Sequence, residues 1–287
     1  DVTTIRMGTP ADANRGCVVV FENNEMDMSI LDGFTIIGGT GSKLIDSSVS
    51  FNALVGGGIS FEASSGTVRN CVIMQGTAEY GGGISCWDNS TVTISNCTIT
   101  DNLATVRGGG LFGGKNSSLT LINCAINNNQ VSGATVGVAG YGGGISCIRN
   151  SPSIITNCDI ADNSAGVSGG GMFFYGSPST VTGCTIIGNS AGSWGGGVGC
   201  ELDGTKVNMA NCIIARNTAI QGGGGVACAL FVNSTISNCT IYGNSGGSSL
   251  GGGGVACWQG TTTVINSIIW ANTSAKGNEI AIAAVAG

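Results

Sequence analysis

The stretch GGGISCWDNSTVTISNCTITDN (Gly81–Asn102) holds three consecutive glycines, two cysteines, an alternating run of Thr, Val, Ile and Ser, and a terminal Asp-Asn. The same string returns, altered but legible, along most of the chain. Its second cysteine serves as a ruler. Cys71, Cys97, Cys124, Cys158, Cys184, Cys212 and Cys239 each follow Asn, or Gly183 in one case, at spacings of 26, 27, 34, 26, 28 and 27. Ser267 continues the series 28 residues later and Phe34, in LDGFTI, begins it, giving nine copies. Two residues beyond the ruler stands isoleucine in every copy: Ile36, Ile73, Ile99, Ile126, Ile160, Ile186, Ile214, Ile241 and Ile269. Five residues beyond it stand Asn102, Asn129, Asn163, Asn189, Asn217, Asn244 and Asn272, with Gly39 and Gly76 as the exceptions. Glycine triplets end at Gly58, Gly83, Gly110, Gly144, Gly171, Gly197, Gly225 and Gly254.

A period near 27 residues with inside/outside alternation within it predicts a solenoid, each repeat one turn of strand, corner and strand. Helical repeats need an apolar stripe at helical spacing, and TVTISNCTI alternates instead. The expected fold is therefore all-β: a single parallel β-helix over residues 1–287, of nine to ten coils. At about 4.8 Å per coil the rod is on the order of 45 Å long. Glycine suits places where backbone bends or approaches another strand closely. The fixed asparagine is expected to adopt a left-handed corner conformation and to hydrogen-bond from coil to coil as a ladder.

Composition agrees. Apolar residues make up 42% of the chain, enough for a core, while only 9% are charged and 52 are glycine, which argues against helices. The net charge of −6 makes a phosphate backbone a poor partner, so nucleic-acid binding is set aside. No window reaches the roughly twenty apolar residues of a membrane span. A sequence opening on Asp1 reads as a mature or excised part of a longer secreted protein, placed outside the cell or on its surface.

The repeats resemble those of right-handed parallel β-helices in the pectate-lyase-like superfamily. Within it, DNSAGVSGGGMF (Asp162–Phe173), GNSAGSWGGGVG (Gly188–Gly199) and RNTAIQGGGGVA (Arg216–Ala227) are similar to the repeats of chlamydial polymorphic outer-membrane proteins, which join F-x-x-N to G-G-A-[ILV]. Here I-x-x-N replaces F-x-x-N, and Gly replaces the Ala. The resemblance spans about residues 31–280. It implies the right-handed coil and raises two activities, adhesion and the cleavage of acidic polysaccharides. Polygalacturonases of the superfamily combine neighbouring Asp residues with a His, and pectate lyases use a calcium-binding carboxylate cluster with an Arg. This sequence has no His and no Asp-Asp pair.

Three sets of residues are candidates for chemistry. A second column, Cys86, Cys147, Cys200, Cys228 and Cys257, exchanges with Phe61 and Phe174 in other repeats, which marks a buried apolar position. Neither C-x-x-C nor His is present, so zinc and haem sites are excluded; the cysteines are read as mostly free core thiols. The residues before the fixed asparagine include Asp101, Asn128 and Asp162, whose oxygens are the candidate ligands for a calcium ion. No other cofactor is expected. Two coils separate the carboxylates by about 9.6 Å, at the edge of the roughly 6.5 to 9.5 Å of inverting glycosidases. Solvated turn residues would show the same types.

The third set precedes the glycine triplets: Val55, Tyr80, Arg107, Tyr141, Ser168, Trp194, Gly222 and Gly251. Tyr80, Arg107, Tyr141 and Trp194 on one edge suit stacking on sugar rings or docking a partner, and equally the covering of glycine-rich backbone from water. Trp87, Tyr175 and Trp258 form a scattered second set. Two insertions, Gly39–Leu54 and Gln130–Tyr141, are expected on that same edge, where loops on a rigid scaffold carry recognition. Neither end of the sequence reads as a cap, so either the caps belong to other parts of a longer parent or the rods meet end to end. The function expected is a non-enzymatic extracellular structural or adhesive scaffold, either a surface or matrix protein or a subunit that self-associates end to end into fibres. The competing readings are a polysaccharide lyase or hydrolase and a carbohydrate-binding module.

Overall fold

A computed structural model describes residues 3–12, 14–26, 28–46, 51–202, 204–249 and 251–283. They form four sheets of ten, ten, ten and nine strands wound as one solenoid. One coil shows the plan. Thr91–Ser95 lies in the nine-stranded sheet D, Thr98–Thr100 in sheet A, Leu103–Arg107 in sheet B and Leu111–Gly113 in sheet C. Each strand pairs in parallel with its equivalents one repeat before and after, Ile99 facing Ile73 and Ile126, for example. Among the described residues no helix is long and apolar enough to cross a membrane.

Corners follow from local chemistry. The residue before each ruler position is left-handed, as in Asn70, Asn96, Asn123 and Asn157 (φ 52 to 54°), and short Asx side chains tolerate that region best. The second left-handed corner is occupied by Gln75, Asp101, Asn128, Asp162 and Arg216. The fixed asparagine itself stands one residue later outside the left-handed region, correcting the sequence expectation: the bend needs its neighbour, which frees the asparagine side chain to turn inward. There Asn163, fully buried, accepts from the backbone N–H of Asn129 at 2.9 Å and from its amide at 3.1 Å. Its own amide donates to Ile126 O at 2.8 Å and to Asn189 Oδ1 at 3.0 Å. The pattern runs unbroken from Asn102 to Asn272.

The core is built of stacked columns. The inward isoleucine column of sheet A, from Ile36 through Ile73, Ile99, Ile126, Ile160, Ile186 and Ile214 to Ile241, is fully buried, and sheet C adds Ile84, Leu111, Ile145, Met172, Val198 and Val226. All thirteen cysteines are buried and unpaired. Burial pushes the Cys17 and Cys147 thiols up to about 12, so they stay protonated and inert. The ruler cysteines also bind backbone. Cys158 N–H donates to Cys184 Sγ at 3.4 Å, and that thiol donates to Thr182 O at 3.4 Å. At the last copy Ser267 Oγ plays the same part, accepting from Cys239 N–H at 3.1 Å and donating to Ile265 O at 2.8 Å. Cys184→Ser is therefore expected to cost about 1 kcal/mol or less, whereas Cys184→Ala strands the Cys158 N–H and costs about 1 to 3 kcal/mol. Urea unfolding of the pair checks this; equal losses would show that the sulfur matters only as volume.

The terminal segments belong to the coil. Thr3–Arg6 pairs with Phe34–Ile37, Val19–Phe21 with Ile59–Phe61, and Ile280–Ala283 with Val255–Trp258, so sheet A begins one strand before Phe34. The first insertion is a hairpin, Gly41–Asp46 antiparallel to Phe51–Val55, which joins sheet B.

Candidate ligand-binding site

The column before the glycine triplets is real in space. Val55, Tyr80, Arg107, Tyr141, Ser168, Trp194, Gly222 and Gly251 pair in that order along the end of sheet B. Beside it runs the outward column of sheet C, whose successive members include Tyr175, Glu201, Ala229 and Trp258. The two columns wall a cavity of about 440 Å³. Arg107, Tyr141 and Trp194 line one side, Tyr175, Glu201 and Trp258 the other, with Phe173 at its base. Val136 and Gly137 of the second insertion also line the cavity, and Gly137 N–H donates to Tyr141 Oη. From Arg107 to Trp258 is five coils, about 24 Å along the axis.

Three of the four residues predicted to bind ligand thus meet in one site. Tyr80 does not. Its ring packs on Phe112 at 5.0 Å in a neighbouring cluster with Val55 and Trp87, and the hairpin closes over that cluster. Asp46 of the hairpin accepts from Trp87 Nε1 at 3.0 Å and pairs with Lys115. Asp101, Asn128 and Asp162 stand elsewhere, exposed on successive coils with φ of 56, 53 and 54°. Their carboxylates and amide point from a corner whose backbone geometry already accounts for Asp and Asn. Among the described residues no three His, Cys, Asp or Glu side chains converge on a metal-sized space.

Residues 11–143 and 138–273 match the family described as right handed beta helix region. The chain is a member of the right-handed β-helix family. No curated protein matches the sequence. The family establishes the coil and leaves the use of its surface open, so the electrostatics of this β-helix's cavity carry the functional argument.

Arg107 extends along the rod axis over three rings: its guanidinium carbon is 4.3 Å from the Tyr141 centroid, 5.6 Å from Phe173 and 6.0 Å from Tyr175. These are cation–π distances. Burial nevertheless disfavours its charge, and its Nη1 has no hydrogen-bond partner. The indole Nε1 atoms of Trp194 and Trp258 are likewise buried and unpartnered. Glu201 is held up at about 7, mainly by burial, with Arg107 and the nearby Ser168 hydroxyl pulling the other way. Sequence reasoning passed over Glu201 and Phe173. Glu201 stands immediately after Cys200, the place that Tyr175 and Trp258 hold after Phe174 and Cys257 in their coils, so its column was visible, but one carboxylate among apolar equivalents gave no pattern.

The shifted carboxyl makes a prediction. The folded chain holds the Glu201 proton more tightly than an unfolded chain, whose glutamate sits near 4.5. The stability this contributes is complete below about pH 4.5 and is lost as pH rises through about 7, a change on the order of 3 kcal/mol. Glu201→Gln is expected to remove that slope in urea titrations across the window; superimposable pH profiles for the two proteins would place Glu201 in water.

Proposed function

We propose that this β-helix is a non-catalytic recognition module that binds a saccharide in the aromatic cavity, outside the cell or on its surface. The observation that carries this reading is the set of aromatic faces, Tyr141, Tyr175, Trp194 and Trp258, ranged round one cavity with buried donors that have no partner in the protein. Sugar rings offer flat C–H faces to aromatic planes and oxygens to N–H donors, and binding sites of this size combine apolar walls with a few placed polar groups. Glu201 is the one carboxylate lining the cavity among the described residues. Glycosidases use two, about 5 to 9.5 Å apart, which favours binding over hydrolysis. Retention on immobilised glycans tests the reading. Tyr141→Ala and Trp194→Ala are expected to weaken retention at least tenfold while the circular dichroism of the coil is unchanged. Failure of the unaltered protein to be retained on any glycan would remove the proposal.

A second reading, end-to-end association into fibres, has support of its own. Ile280 and Ile282 stand over the inward columns of Val255 and Cys257 and are 41% and 83% exposed. A following coil, from a longer chain or a second copy, would cover them. Light scattering over a concentration series, with electron microscopy, separates rods from monomers.

A further inference from the structure

Arg107 and Glu201 line the same cavity with opposite charge, yet neither forms an ion pair with the other or with any other described residue. Their separation explains this. Arg107 pairs with Tyr141, Tyr141 with Ser168 and Ser168 with Trp194, whose coil carries Glu201. Their backbones are three coils, about 14 Å of axis, apart, and Arg107 spends its length on the rings of Tyr141, Phe173 and Tyr175, which leaves its guanidinium within electrostatic reach of Glu201 but not in contact with it. A desolvated cation and a desolvated carboxylate that feel one another without touching each cost free energy, and an incoming group of opposite sign in direct contact recovers it. No other charged side chain lines the cavity among the described residues. The opposed charges and the aromatic walls between them define the shape of what fits.

We propose that the cavity selects a dipolar sugar, one ring that brings an anionic group to Arg107 and an ammonium to Glu201. The inference rests on the saccharide reading and narrows it to one class. A neutral sugar leaves both protein charges unanswered. A purely anionic sugar answers Arg107 and places a second negative group near Glu201; a purely cationic one does the reverse. A sugar carrying both answers both, and its ammonium also gains from the faces of Trp194 and Tyr175. Burial holds the Glu201 carboxyl up at about 7, so near that pH it is only partly ionised, and an adjacent ammonium draws it into its ionised form.

Calorimetric titration of the intact chain with four probes near pH 7.5 tests this: muramic acid, which is zwitterionic, glucosamine, glucuronic acid and glucose. Muramic acid is expected to bind at least tenfold more tightly than each of the others. Arg107→Gln is expected to erase its advantage over glucosamine, and Glu201→Gln its advantage over glucuronic acid. Glucuronic acid binding as tightly as muramic acid would overturn the proposal. So would equal affinity for all four sugars, which would leave the saccharide reading standing. If none of the four binds the folded, unaltered chain, this proposal falls, and retention on immobilised glycans decides the saccharide reading separately. The comparison among probes needs no variant, so a misfolded substitution leaves the test intact.

Discussion

Asn163→Ala is expected to lower the stability of the coil by about 3 to 5 kcal/mol. The side chain makes four hydrogen bonds out of water: it accepts from Asn129 N–H and the Asn129 amide, and it donates to Ile126 O and Asn189 Oδ1. Alanine leaves the Asn129 N–H and its amide without that acceptor and Ile126 O without that donor, at about 1 to 3 kcal/mol for each buried orphan. Aspartate keeps the oxygens, loses both donors and buries a charge, so Asn163→Asp is expected to be worse still at neutral pH. The adjacent Asp162, exposed on the left-handed corner, makes the control: Asp162→Asn suits the same φ and is expected to change stability by about 0.5 kcal/mol or less. Because a solenoid coil touches only its neighbours, hydrogen exchange should quicken first around residues 129–189. Uniform exchange along the rod would show that the loss is not local.

Gly196→Ala is expected to be at least as severe, with a loss above about 4 kcal/mol or no folded protein at all. The three glycines of a triplet are not equivalent. The first, Gly195, has φ of 63°, a conformation that glycine adopts at little cost. The second, Gly196, has ordinary backbone but no room: a Cβ there would lie 2.4 Å from Thr218 O and 2.5 Å from Gly224 O of the next coil. Backbone atoms of a hydrogen-bonded sheet cannot step aside singly, so the methyl wedges two coils apart and breaks the ladder bonds on both sides. Gly8, with nothing within 4 Å of its would-be Cβ, gives the comparison, and Gly8→Ala is expected to be nearly neutral. Thermal melting settles it; a Gly196→Ala protein melting within a few degrees of the parent would mean the coil spacing is not set by that glycine.

The coil was legible because stacking imposes the same demand at the same place nine times over. Ile99 says little by itself, but Ile73, Ile99, Ile126 and Ile160 at one register position can only be a core column. Columns also brought Arg107, Tyr141 and Trp194 to one edge, since the residues before the glycine triplets share one register position. What repetition could not convey is reach. The cavity depends on an arginine lying across three coils and on Glu201 facing it from another sheet, and both are facts of side-chain length and rotamer. The corner shows a smaller version of the same limit. A periodic asparagine beside a periodic Asp or Asn gave two candidates for one left-handed residue, and only the backbone path distinguished Asp162 from Asn163. The first insertion was legible as an interruption, while its clamp through Asp46 to Lys115 and Trp87 joins positions up to 69 residues apart that no spacing connects.

The buried asparagines all point one way. Each amide gives its proton to the carbonyl oxygen of the asparagine one coil further on, from Asn102 to Asn272, and there the last amide gives to the Glu279 carboxylate at 2.6 Å. Six such links in line polarise one another, so the rod has an electrical direction as well as a length, with acceptors facing back along it and donors facing forward. A negative charge stands where the donors end. Coils added beyond Glu279 would have to replace that carboxylate with another amide oxygen in the same orientation, which a coil running the opposite way cannot supply. The interior thereby carries a polarity: a coil that continued the asparagine ladder would run head to tail with this one.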